Sequence, residues 1–236
     1  MIAAVLHEDD ELIAVAKPAG VAVIPARGEP PEASLVEQLR AARGERLWIV
    51  HRIDRETSGV VVFARTAAAH RELSMAFEHR RVDKRYLAWA AGAVPDVATV
   101  EVALHDARRG KSRPALPGEP GSRAARTDLA VERRWRRGDD QVCRIRCHPI
   151  TGRHHQIRVH LRSLDAPIVG DKQYGKATRR GGLAAAPCPR LALHAASLVV
   201  PGAAGPRRFE APVPDDLRAL EAWLDAWDAG AGEASS

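Results

Sequence analysis

Several things that would identify the chain quickly are scarce or missing. Its three cysteines, Cys143, Cys147 and Cys188, are an odd number with no C-x-x-C pair. That spacing excludes a disulfide framework and a zinc knuckle, and leaves reduced, mostly buried thiols. No apolar run approaches the roughly 20 residues needed to cross a bilayer. The N-terminal stretch carries acids by Glu8 and has no charged region followed by an apolar one, so no secretory signal is visible. Neither a dinucleotide fingerprint nor a P-loop is present, and nothing resembles a nucleophile elbow. Lysine is rare, confined to positions 17, 84, 111, 172 and 176. No membrane-spanning helix and no secretory signal are expected, no dinucleotide or P-loop site is marked, and a cytosolic protein is expected.

What is present is a chain of 236 residues, 45% hydrophobic and 28% charged, with a formal net charge of +6. That length buries a real core, as one large domain or two small ones. The positive balance favours an acidic partner, and arginine supplies nearly all of it. Guanidinium forks suit phosphates and stack on bases, although a GC-rich genome gives the same bias.

The stretch from Val50 to Thr66, V-H-R-I-D-R-E-T-S-G-V-V-V-F-A-R-T, is the least ordinary part of the chain. Leu47–Val50 and Val60–Ala64 are short, partly β-branched runs that read as buried strands. Between them the polar knot from His51 to Gly59 places charges at strand ends, where rigid scaffolds usually hold chemistry. Arg52 and Arg55 flank Asp54, and nearby cations favour an ionised carboxylate, suited to a nucleophile or base. On local composition alone, a salt-bridged connection between two strands explains the stretch equally well.

Around it the periodicities predict further elements. Ile2–Leu6 and Leu12–Ala16 form a hairpin, and Val21–Ile24 resumes as a strand after Lys17-Pro18-Ala19-Gly20. Ser34 and Glu37 form a capping box for a helix over Leu35–Arg43, stopped by Gly44. Thr66 caps a second helix to about Phe77. A basic run, Arg80–Arg85, leads into a strand over Tyr86–Ala90. Residues 108–126, rich in Pro, Gly and Arg, read as an exposed basic loop. Leu129–Trp135 and Val142–Cys147 pair as strands, His154–Leu164 is helical, and Ala166–Gly170 is a short strand. Ser197–Val200 and Arg207–Ala211 suggest a hairpin. Asp215–Trp227 closes the fold as an amphipathic helix with Leu217, Leu220, Leu224 and Trp227 on one face. With no internal repeat and no linker, one mixed domain over 1–228 is expected, with a disordered tail at 229–236.

A second polar cluster runs from Pro149 to Leu161, P-I-T-G-R-H-H-Q-I-R-V-H-L. Arg153, Gln156 and Arg158 at a helix start suit phosphate. Three histidines in seven residues invite a metal, but His155 and His160 are five apart and do not stack as ligands four apart do. No metal site is expected.

Together these stretches resemble the RluA-type pseudouridine synthase family over nearly the whole chain. The opening V-L-H-E-D-D-E-L-I-A-V-A-K-P-A-G matches, as does H-R-I-D-R-E-T-S-G-V-V-V-F-A-R-T. So do Lys84-Arg85-Tyr86, then T-G-R-H-H-Q-I-R-V-H-L with P-I-V-G-D-K-Q-Y-G, and R-L-A-L-H-A at 190–195. Beyond the opening, four motifs in the family's order leave little room for chance. The resemblance implies an α+β fold on a largely antiparallel central sheet flanked by helices and loops. It implies an isomerase needing no cofactor, acting on a structured stem-loop of ribosomal or transfer RNA, as a monomer.

Specific positions inherit roles from it. Asp54 matches the required aspartate, Tyr86 the aromatic that stacks on the target uracil, and Arg153 the arginine paired with that aspartate. Arg52 matches the residue filling the gap left by the flipped nucleotide, and Leu193 an apolar residue of the pocket floor. His51 and Lys84, inside matched motifs, complete the substrate-binding set. Without the resemblance Tyr86 and Leu193 read as core residues and Arg153 as a surface phosphate contact. Two departures are visible: His154 stands where the family more often has Thr, and the chain starts at the catalytic domain without the N-terminal RNA-binding module of many relatives. The rival functions are a non-catalytic RNA-binding protein and a hydrolase with an Asp54–His51 dyad.

Overall fold

The computed structural model describes residues 3–107, 110–175, 183 and 185–229. In chain order the strands and helices are β1 (Ala4–Glu8), β2 (Leu12–Lys17), α1 (Leu35–Arg43), β3 (Trp48–Ile49), β4 (Ser58–Ala64), α2 (Ala67–Glu78) and β5 (Asp83–Ala91). There follow β6 (Val97–Glu101), β7 (Leu104–Ala107), β8 (Lys111–Pro114), β9 (Arg126–Arg137), β10 (Asp140–Pro149) and α3 (Gln156–Ser163). The chain ends with β11 (Leu193–Val200), β12 (Arg207–Glu210) and α4 (Asp215–Ala229). The class is α+β. The chain divides into two compact units, Met1–Arg85 with His194–Val213, and Tyr86–Leu193 with Pro214–Ser236.

In the first unit β2 pairs antiparallel with β1 and β4, while β4 runs parallel to β11 through Ser58–His194 and Gly59–Ala195. Every residue of β4 is buried. The reason is that helices cover both faces. Leu12, Ala14, Val60 and Val62 pack with Ala69 and Leu73 of α2, whereas Ile13, Val15, Val61 and Phe63 pack with Leu35, Val36 and Leu39 of α1. A strand buried on two sides has no polar alternation, which is why it reads as a continuous apolar run.

Helix α1 has the bounds expected of it, and Gly44 closes it in the left-handed conformation at φ 65°. The capping box does not form. The Ser34 hydroxyl donates to the Pro31 carbonyl at 2.7 Å, and the first amides of α1 are met by backbone instead. Leu35 N–H donates to Ala22 O and Val36 N–H to Val23 O. Those carbonyls are therefore unavailable to a ladder, and Val21–Ile24 is a capping loop rather than the expected strand. Thr66 does cap α2, accepting from Ala69 N–H at 3.1 Å.

In the second unit β10 pairs antiparallel with β5 and β9, and β9 with β6. Helix α4 is tied to these strands by Trp89 Nε1–H to Glu221 (3.1 Å) and Trp135 Nε1–H to Asp225 (2.6 Å). Its predicted stripe, Leu217, Leu220, Leu224 and Trp227, is buried. Strands β6, β7 and β8 escaped the sequence reading. Part of the expected 108–126 loop is strand β8, paired with β7, because its Lys-Ser-Arg sequence carries no apolar signal. Ala166–Gly170 is not a strand; only an isolated bridge joins Ile168 to Ala90. Cys143, Cys147 and Cys188 are free thiols. The expected C-terminal tail lies outside the described residues after Ala229.

Gly59 shows how tightly β4 meets β11. At φ 123° a side chain is strained, and a Cβ there would stand 2.1 Å from the Ala195 carbonyl oxygen. Gly59→Ala is therefore expected to destabilise the fold by about 3 kcal/mol or more. Urea denaturation, with the midpoint shifted and the slope unchanged, checks this.

Candidate active site

The turn carrying Asp54 is built from the backbone outward. Thr57 N–H donates to Asp54 O at 3.1 Å, closing a four-residue turn immediately before β4. Lys17, only 1% exposed, sits under it. Its ammonium donates to Pro18 O at 2.7 Å, Val21 O at 2.7 Å and Arg55 O at 2.8 Å. Gly20 N–H adds a fourth tie, to Arg55 O at 2.9 Å. A buried ammonium is tolerated only where its protons all find acceptors, and here the acceptors come from two loops that it locks together. The matched opening motif contains Lys17 without assigning it this task; a lysine ending an apolar strand before Pro was the available signal.

The neighbours of Asp54 divide by function. The Arg55 guanidinium is taken by Glu29 at 2.6 Å, so it serves the loop 26 residues upstream rather than the adjacent carboxylate. Arg52 is exposed and makes no ion pair among the described residues. His51 faces inward: its ring stacks on Phe77 with centroids 4.6 Å apart, and its Nε2 accepts from Val62 N–H at 3.0 Å. Accepting a backbone proton requires a lone pair, so the ring is neutral. Burial, reinforced by the Lys84 charge, pushes its pKa down to about 3. With that nitrogen occupied, His51 supports the loop and leaves no dyad base for a hydrolase. Burial and Arg80 lower Lys84 to about 8, against the opposing charge of Asp83.

Tyr86, Arg153 and Leu193 belong to the second unit. Tyr86 is partly buried on β5, opposite Cys147 of β10. Leu193 is buried at the first position of β11. The Arg190 guanidinium, paired with Asp216 at 2.6 and 2.8 Å, donates to the Leu191 and Leu193 carbonyls.

Arg153 lies in the turn before α3, and Gln156 sets that turn. Gln156 Oε1 accepts from the Thr151 hydroxyl (2.6 Å) and Arg153 N–H (3.0 Å). Its Nε2 donates to Arg126 O and the Thr127 hydroxyl, both at 2.9 Å. The amide is thus fully used inside the protein. Arg158 is equally internal, bidentate to buried Asp171 at 2.8 and 2.9 Å. These two are structural, correcting the expectation that they bind phosphate. The three histidines face separate partners. His154 Nδ1 is 3.0 Å from the Ser112 hydroxyl, His155 Nδ1 3.0 Å from the Tyr174 hydroxyl, and His160 bridges Thr127 and Val102 O.

Comparison with known proteins gives the class first. The fold is similar to two human proteins of solved structure. RNA Pseudouridylate Synthase Domain Containing 4 has a TM-score of 0.77 at 24% identity, covering 94% of this chain and 93% of that one. RNA Pseudouridylate Synthase Domain Containing 1 has a TM-score of 0.75 at 26% identity, covering 96% and 95%. The architecture is that of a pseudouridine synthase.

Sequence comparison then sets the family. The RNA pseudouridylate synthase family model matches residues 11–163. The Ribosomal large subunit pseudouridine synthase D of Xanthomonas campestris is 36% identical, over 97% of this chain and 71% of that protein. The Dual-specificity RNA pseudouridine synthase RluA of Escherichia coli O6:H1 is 35% identical, over 88% and 92%. The chain belongs to the RluA-type RNA pseudouridine synthase family, whose members are isomerases.

The Lys17 clamp carries a prediction. Lys17→Met removes the three donors that tie the Pro18, Val21 and Arg55 carbonyls, and is expected to cost about 3 kcal/mol or more. Chemical denaturation measures the loss, and limited proteolysis should cut the loosened 18–24 and 52–57 loops faster.

Proposed function

We propose that the chain converts one specific uridine of a structured ribosomal or transfer RNA stem-loop to pseudouridine, in the cytoplasm and without a cofactor. The bond from ribose C1′ to ring nitrogen N1 breaks, the ring turns, and C1′ bonds to C5. The C5 proton is lost and N1 gains one, so the reaction balances as an isomerisation. As the first bond breaks the sugar becomes electron-poor, and an ionised carboxylate attacks or stabilises it, as in glycoside chemistry. Asp54 has that role in this reading. The observation that carries it is its setting within the family motif, on a turn whose backbone is clamped by a buried ammonium. Pre-organised geometry of that kind is what a reacting carboxylate requires.

The remaining roles follow the family match residue by residue. Tyr86 stacks on the uracil, Arg153 supplies the cation that complements the carboxylate, Leu193 lines the pocket floor, and exposed Arg52 occupies the space of the flipped nucleotide. Extruding a base costs a few kcal/mol, least from a loop or bulge, and phosphate contacts from arginine offset it. The one catalytic domain over 1–228 acts as a monomer.

Asp54→Asn is isosteric at a polar position, so it should fold and bind RNA normally. Release of tritium from RNA labelled at uracil C5 should fall below detection in that variant and proceed with the native protein. Retained release would refute the assignment of Asp54.

Lys84 gives a pH signature. Its ammonium loses its proton near pH 8 in the free protein, and a bound phosphate raises that value, because it favours the charged form. Binding therefore takes up a proton above pH 8, and affinity should fall as pH rises from 8 to 9, by up to about tenfold per pH unit. Fluorescence titration with a labelled stem-loop measures the slope, which Lys84→Met should flatten.

A further inference from the structure

The Thr57 hydroxyl has no purpose in the free protein. Thr57 is 1% exposed, and its buried Oγ1 has no hydrogen-bond partner among the described residues. Burying a hydroxyl without a partner destabilises a fold, and a valine of the same shape avoids the penalty. Orphans of this kind are rare enough to require an explanation. Neighbouring groups are engaged. Thr57 N–H donates to Asp54 O, Lys17 holds Arg55 O, and the Ser58 hydroxyl lies 2.9 Å from His194 Nδ1. The opposite nitrogen of His194 is 3.1 Å from Ala211 O, which can only accept, so that nitrogen carries a proton and Nδ1 is left to the serine. Among the described residues of the motif, Thr57 Oγ1 is the buried side-chain donor left without a partner, three positions from the reacting carboxylate along the chain.

Turn geometry indicates where it goes. The Thr57 N–H to Asp54 O bond makes these the fourth and first residues of a turn, whose Cα atoms lie within about 7 Å of each other. A hydroxyl and a carboxylate at those positions can meet by side-chain rotation alone, with the backbone held by Lys17 beneath and β4 beyond. We propose that Thr57 is a positioning residue: when RNA is bound, its hydroxyl donates to the Asp54 carboxylate and fixes the oxygen that faces the ribose. The inference rests on the role given to Asp54 above. A donor kept for the bound state costs stability in the free protein and returns it as orientation, the trade between stability and activity expected at functional sites.

Thr57→Val and Thr57→Ser, compared with the native protein, test this by thermal melting and by tritium release over a range of RNA concentrations. Thr57→Val should melt at or above the native temperature, yet lose about tenfold or more in kcat, as expected for a lost hydrogen bond to a charged group, with KM little changed. Thr57→Ser, which keeps the hydroxyl, should stay within about threefold of native kcat. Native kcat in Thr57→Val would overturn the proposal. So would a Thr57→Val melting point well below native, which would show the hydroxyl already partnered, or a Thr57→Ser as slow as the valine variant, which would assign the effect to the methyl group. Absence of release by the native protein would instead overturn the isomerase reading, and this assignment with it.

Discussion

The ammonium of Lys17 is the contact on which the rest of the first unit's site depends. It gathers carbonyls from Pro18, Val21 and Arg55, so a loop following β2 and a turn preceding β4 become one rigid body. The consequences spread in both directions. Upstream, the Ala22 and Val23 carbonyls are held where they meet the first amides of α1, and a segment with strand-like composition becomes a helix cap. Downstream, the Asp54 turn is fixed to β4, whose own position is set by the close approach of Gly59 to Ala195. A single buried charge thus does what a longer ladder of backbone bonds would otherwise do.

The second unit solves the same problem with neutral and paired groups. Gln156 spends both ends of its amide on the Thr151–Arg153 turn and on the start of β9. The Arg158–Asp171 pair is bidentate and almost wholly buried, and Asp171 also accepts from the Gln173 and Tyr174 amides. Arg190 and Asp216 hold the entry to β11. In each case a polar side chain that looks surface-seeking is turned inward with its hydrogen bonds satisfied, which gives a loop a defined shape where apolar packing alone would leave it loose.

This use of arginine changes the meaning of the composition. A net charge of +6 suggests a broad basic surface, yet many guanidiniums are spoken for. Arg65 serves Glu45, Arg134 serves Asp96, Arg144 serves Glu132 and Glu221, and Arg207 serves Asp9 and Glu11. Exposed pairs of this kind contribute little stability but they neutralise local field. Among the described residues, exposed Arg52 stands outside such pairs, two positions from Asp54 in the chain.

The sequence by itself determined the helices, the long strands, the family, and the residues that carry its motifs, because apolar period, turn chemistry and motif order are local properties of the chain. Ser58–Ala64 needed no tertiary knowledge to be recognised as buried, and neither did the stripe of α4. Strands β6 to β8 were hidden because short, polar or edge-like segments become strands only when a neighbour offers a ladder. The tertiary structure alone decided which polar groups turn inward. Lys17, Gln156 and Arg158 have the same composition whether they face solvent, phosphate or the protein interior. Only the positions of carbonyls and carboxylates distant in sequence settle which of these a buried donor meets, and for the Thr57 hydroxyl they place none within reach among the described residues.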